Sequence, residues 1–364
     1  MHLIHAISVV KGCFAAARSI LLNFPRPVGQ TEMQLKQAQD AAYKILLEND
    51  VPSPRLNAEL LLQFVLGRER AYLYAHPERE LSAEEQTEYN EVIAQRARGC
   101  PTQYITGHQE FWGLDLLVSP AVLIPRPETE HVVETALELM KEYYAEHQHH
   151  THNPTSEDAA ACAQIDSGKL RIVDVGVGSG CIALALASEL PNAEIHGCDI
   201  SEEALEMARV NAARLGLGPH VLFRKSDLLD VYLEDISSSA AASAATAGSS
   251  ALAPAPADGD GRFDFVIANP PYVGDSEWDK VQKQVREFEP RIAVFCGTDG
   301  MDVYRRLVPQ AREGLRPGGW LVMEIGYSSE DKIKLLLASD RGWSNVQVTP
   351  DLQGIPRVVA ARKT

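Results

Sequence analysis

Seven short runs rich in branched and aromatic residues recur along the second half of this chain. They constrain its fold more than any other feature: Arg171–Val175, Glu194–Cys198, Val221–Arg224, Phe263–Ala268, Trp320–Ile325, Asn345–Val348 and Arg357–Ala361. Each has the length of a strand, and helical patterns of apolar residues lie between most of them. Strands that alternate with helices predict an α/β fold built on a doubly wound, mostly parallel sheet. No clear helix separates the last two runs, so these are expected to pair antiparallel.

Two loops at strand ends carry chemistry. The first run flows into Val173-Asp174-Val175-Gly176-Val177-Gly178-Ser179-Gly180. Its three glycines let the backbone turn sharply and approach a ligand closely. The helix that follows from Cys181 would aim its free amide donors at that ligand. Asp199 ends the second strand, where a carboxylate can accept both hydroxyls of a ribose. The pair points to a nucleoside-containing cofactor in a Rossmann-like crevice. The glycines alone are also compatible with a tight turn. The dinucleotide pattern is not met, because Cys181 stands at its last place.

The fourth run is cut short by Asn269-Pro270-Pro271-Tyr272. Two prolines cannot continue a central strand, since each removes a ladder donor. In a sheet of order 3-2-1-4-5 the first and fourth strands are neighbours, and ligands bind outside their carboxyl ends. The tetrapeptide then faces the same crevice as the glycine loop. It suits a planar NH2 group as nucleophile. The Asn269 side-chain oxygen and the Pro270 carbonyl can accept its two N–H bonds, the prolines keep those acceptors rigid, and Tyr272 can stack on its flat face. The plainer alternative is a turn that ends a strand.

The remainder sets limits. Residues 1–30 contain Lys11, Arg18 and Arg26 but no acid, which fits an upstream start, a frayed tail or an organellar presequence. Residues 31–100 are expected to form a helical bundle, opening at a Thr31/Gln34 capping box. Its second helix starts at Ser53-Pro54 with Leu56, Leu60, Leu61, Phe64 and Val65 as its apolar stripe, and its third is capped by Ser82 and Glu85. Residues 101–125 are expected to form a hinge region, and 126–364 the domain that carries the sheet. Two flexible insertions are expected within it: the His-rich 145–169 and the Ala/Ser/Pro-rich 234–261. Net charge is −16, which argues against direct nucleic-acid binding. The six cysteines show no pairing or zinc spacing, no metal site is expected, and a reduced compartment follows. No apolar run reaches the ~18 residues of a membrane span.

The pattern from Asp174 to Gly180 resembles motif I of S-adenosylmethionine-dependent methyltransferases, and Asn-Pro-Pro-Tyr resembles that of their amino-group branch. With "LIPRPETE" (123–130), "EFEPRIAVFCGTDGMD" (287–302) and "PGGWLVMEIG" (317–326), the chain from about Thr31 to Lys363 is similar to the HemK/PrmC family. That family methylates the glutamine side chain in the Gly-Gly-Gln loop of peptide chain release factors. The resemblance implies a cofactor site of Asp174, Gly176, Val177, Gly178, Ser179, Gly180 and Asp199, with Asp227, Leu228 and Asn269 alongside. It implies Asn269, Pro270 and Tyr272 as catalytic, and Pro271, Arg126 and Glu128 with them on the substrate side. Arg126 equally suits a structural salt bridge. The helical domain would dock substrate, and the chain would act as a cytoplasmic monomer, or in an organellar matrix if the leader is a presequence. The alternatives are a nucleic-acid base amino-methyltransferase, which would want a basic face, and a non-catalytic adaptor, whose motifs would be degraded.

Overall fold

The computed structural model describes residues 33–149, 170–247 and 261–364; the basic leader, Thr31, most of the first expected insertion and part of the second lie outside these. The chain divides into two compact units. Among the described residues, one holds those up to His108 with 118–120 and 281–288, and the other holds the rest.

The first unit packs α1 (Leu35–Glu48), α2 (Pro54–Leu66) and α3 (Ala83–Ala97) against one another. Helix α1 is capped three residues later than its sequence suggests: the Gln34 N–H donates to the Gln37 side chain at 3.2 Å. The Ser82/Glu85 box forms as expected, with reciprocal bonds of 2.9 and 3.1 Å. The stripe expected on α2 is corrected. Leu56, Leu60 and Phe64 are 47, 41 and 42% exposed, whereas Ala58, Leu61 and Leu62 are buried. Apolar residues occupy both sides of this helix, and periodicity alone does not say which side the bundle covers.

In the second unit α4 (Glu130–His149) precedes the sheet. Then come β1 (Arg171–Val175), α5 (Cys181–Glu189), β2 (Glu194–Asp199), α6 (Glu202–Arg214), β3 (Val221–Lys225) and α7 (Asp230–Ala247). They are followed by β4 (Phe263–Ala268), α8 (Asp302–Gly314), β5 (Leu315–Glu324), α9 (Glu330–Ala338), β6 (Trp343–Pro350) and β7 (Pro356–Lys363). The strand order is β3-β2-β1-β4-β5-β7-β6. Strands β1 to β5 pair parallel, and β7 runs antiparallel to both β5 and β6. Alternate residues of the central strands feed two cores. Ile172, Phe265 and Val322 face α4, α5 and α6, and Val173, Val266 and Met323 face α7, α8 and α9. All six residues of β4 are buried, as a parallel strand covered on both faces requires. Each large apolar side chain so covered contributes about 1.5–3 kcal/mol.

Both expected insertions are corrected at their first residues. Helix α4 runs on to His149 and α7 to Ala247, so residues 145–149 and 234–247 are helical. Alanine has the highest helix propensity, and Ile236 is buried, which anchors α7 inside the segment.

Candidate active site

Strands β1 and β4 lie side by side, with Val175 opposite Ala268. The glycine loop and Asn269 therefore leave adjacent strands in the same direction. Asp174, Gly176 to Ser179, Asp199, Ser226 to Leu228, Asn269 and Pro271 line one cavity, together with Pro125 and Thr129. Pro270 is buried and Tyr272 half-buried.

The glycine loop turns at Gly176, Gly178 and Gly180 with φ of +76, +54 and +89°, a region open to glycine at little cost. At Gly180 a Cβ would also come 3.0 Å from Leu184. Asp199 pins the loop: one oxygen accepts from Gly178 N–H at 3.0 Å and the other from Ser201 N–H at 2.9 Å. Burial raises its pKa against those bonds. Asp174 is buried, and one oxygen accepts from Ala183 N–H at 3.0 Å. The other has no partner. Burial pushes this carboxyl up to about 7. An orphaned acidic oxygen beside the cavity is a ready seat for a cationic amino group.

On the other wall the Asn269 side-chain N–H donates to Thr129 Oγ1 at 3.0 Å. The Thr129 hydroxyl donates in turn to Glu324 Oε2 at 2.6 Å. Glu324 is buried at the end of β5 and pushed up to about 7 by that burial, against hydrogen bonds from Thr129 and Tyr272. Burial, then the nearness of Glu324, raises the Tyr272 phenol. The loop after β4 is tightly buttressed. A Cβ at Gly300 would lie 2.2 Å from the Tyr272 carbonyl oxygen, and Gly300 sits at φ +72°. That accounts for a glycine in "GTDGMD".

Residues 37–107 match the family model of the PrmC N-terminal domain, and residues 166–327 match that of a methyltransferase domain. The release factor glutamine methyltransferase of Koribacter versatilis is 49% identical over 331 residues, covering 91% of this chain and 99% of that protein. The enzyme of the same name from Geobacter sulfurreducens is 37% identical over 328 residues, covering 90% and 96%. The chain belongs to the release factor glutamine methyltransferase family.

Within this member of the release factor glutamine methyltransferases, Arg126 takes up the structural alternative. It pairs with the buried carboxylate of Glu289, which also accepts from Ile124 N–H at 3.3 Å and so anchors the start of the Pro-Arg-Pro-Glu-Thr-Glu segment. Glu128 is half-buried and its charge pushes the Glu324 carboxyl up. Asp227 pairs with Arg306 at 2.7 Å. Leu228 adopts φ +53° beside it. Sequence reasoning assigned no role to Thr129, Glu289 or Glu324. All three stood inside the quoted motifs, but the signal that joins them is tertiary.

Proposed function

We propose that the chain transfers a methyl group from S-adenosylmethionine to the side-chain amide nitrogen of the glutamine in the Gly-Gly-Gln motif of a peptide chain release factor. The observation that carries this reading is the placement of Asn269, its nitrogen turned to Thr129, beside the glycine loop on the neighbouring strand. The cavity fits the cofactor: Asp174 offers an unpartnered acidic oxygen to the amino group, Asp199 at the end of β2 would accept from the ribose, and Ile200 and Leu228 offer apolar surface for the base.

S-adenosylmethionine, when bound, supplies an electrophilic methyl on a sulfonium. The chain's own residues supply position. Asn269 Oδ1 and the Pro270 carbonyl accept the two N–H bonds of the substrate amide, which turns the nitrogen toward the cofactor side and raises its electron density; as the methyl would pass from sulfur to nitrogen, one of those protons would leave to solvent. Pro270 and Pro271 keep both acceptors from drifting. Tyr272 packs on the amide plane. The Ile124–Glu130 segment, Glu128 included, walls the substrate side, and Arg126 holds that wall through Glu289.

This reading brings a protein partner instead of nucleic acid, which the net charge of −16 supports. It also brings monomeric action in the cytoplasm. Among the described residues no helix is long and apolar enough to cross a membrane, and Cys100, Cys181, Cys198 and Cys296 are free thiols. Incubation with methyl-labelled cofactor and a release factor, followed by mass spectrometry, tests the reading. Label on the Gly-Gly-Gln glutamine is the expected result; label elsewhere, or none, overturns it.

A further inference from the structure

Resting on that reading, we infer that Thr129 and Glu324 are positioning residues. Their one-way hydrogen-bond chain from Asn269 to the Glu324 carboxylate selects which end of the Asn269 amide meets the substrate.

The oxygen and nitrogen ends of an asparagine amide are nearly the same size, so packing does not choose between them; hydrogen-bond partners do. Ionised, as it is above about pH 7, the Glu324 carboxylate only accepts. The Thr129 hydroxyl has one proton and commits it to Glu324 Oε2 at 2.6 Å. Thr129 Oγ1 is then left to accept, and it does so from Asn269 Nδ2 at 3.0 Å. With Nδ2 held there, Oδ1 lies at the other end of the amide plane. The reverse orientation would set an NH2 group against the NH2 of the substrate glutamine. Two donors would face each other, and nothing would accept the substrate protons.

Three separate elements make this chain. Thr129 comes from the turn that opens α4, Asn269 from the end of β4, and Glu324 from the end of β5. Strand pairing sets Ala268 beside Met323, immediately before Asn269 and Glu324. Thr129 and Glu324 are buried, so water does not compete for the bonds. The Tyr304 hydroxyl donates to the Glu324 carbonyl at 2.7 Å and steadies its backbone. Glu324 also takes the Tyr272 hydroxyl, so one carboxylate holds both side chains that the mechanism needs from the tetrapeptide. This gives the threonine of Pro-Arg-Pro-Glu-Thr-Glu and the glutamate of "MEIG" a shared purpose.

The test uses the full chain, S-adenosylmethionine and a release factor. Thr129→Val keeps the shape and removes the hydroxyl. It should lower kcat on the order of ten- to a hundredfold, the range of partners one step removed from a reacting group, while leaving cofactor affinity as it was; melting temperature should fall modestly, because buried Glu324 loses a donor. Thr129→Ser should restore most of the rate. Asn269→Asp presents an oxygen whichever way it turns, so it should cost less on top of Thr129→Val than on its own. An unchanged kcat in Thr129→Val overturns the inference, as does a loss that falls equally on cofactor affinity. A wild-type chain that methylates no release factor overturns the functional reading instead. The hydrogen bond is then judged by nitrogen-15 NMR of the Asn269 side chain: its Nδ2 hydrogens should exchange more slowly in wild type than in Thr129→Val, and equal exchange overturns the inference.

Discussion

Asp174 and Glu324 are near twins in place and opposite in circumstance. They sit on β1 and β5, the two strands that flank β4. Both are buried, and burial pushes both up to about 7. Yet Asp174 keeps one oxygen without a partner, whereas Glu324 is held by Thr129 and Tyr272. A buried acid left unsatisfied is costly unless a ligand completes it. One satisfied from within instead stiffens its neighbours. On the proposed reading, the contrast divides the cavity into a side that a cation would complete and a side assembled to orient an amide.

The largest effect should come from the assembled side. Asn269→Ala is expected to lower kcat on the order of 10²–10³, the usual cost of one preorganised partner, with little change in cofactor affinity. Rapid-quench methylation and calorimetry separate the two, and a loss confined to affinity would erase the distinction. Next comes the waiting side. Asp174→Asn should weaken S-adenosylmethionine binding by roughly ten- to a hundredfold, since a charge-assisted hydrogen bond is worth about 1.5–3 kcal/mol, and should leave the single-turnover rate at saturating cofactor nearly intact. Asp199→Asn is milder. It keeps one acceptor oxygen but sets its NH2 against the N–H of Gly178 or Ser201, so its affinity loss should be about tenfold. Asp199→Ala would also free the Gly178 N–H and disturb the loop itself.

The smallest effect is on stability against pH. Folding raises the pKa of Asp174 from 3.8 and of Glu324 from 4.5, each to about 7. The native state therefore holds protons that the unfolded chain releases. The contribution is fully present below the ordinary carboxylate range and is lost as pH rises through about 7. Cofactor-free protein should melt at a lower temperature near about pH 8 than near about pH 6. Asp174→Asn should show a shallower decline, and parallel declines in calorimetric scans would mean that Asp174 is ionised throughout.

Much of this was legible beforehand, for identifiable reasons. Phe263 to Ala268 announced a strand covered on both faces, and the prolines after it marked its end. Parallel topology alone then set Asn269 beside Gly176, ninety-three residues away in sequence. The antiparallel pairing of the last two runs followed from the missing helix between them. What escaped was decided by tertiary choice. The buried side of α2 is selected by its neighbours and not by its own sequence. The Ala/Ser stretch was expected as a loop because its composition is simple, but α7 extends into it from a buried Ile236. Thr129 and Glu324 meet across 195 residues, and neither type announces a partner. Glu289 and Arg126 meet across 163 and were no more visible.

On the proposed reading, this cavity orients a glutamine amide for methyl transfer. The most direct measurement is a single-turnover competition. Wild-type chain preloaded with labelled S-adenosylmethionine is mixed with a release factor bearing Gly-Gly-Gln and an adenine-containing oligonucleotide at equal concentration. Label is expected on the glutamine side-chain nitrogen, with the oligonucleotide essentially unlabelled. Faster labelling of the oligonucleotide would contradict it.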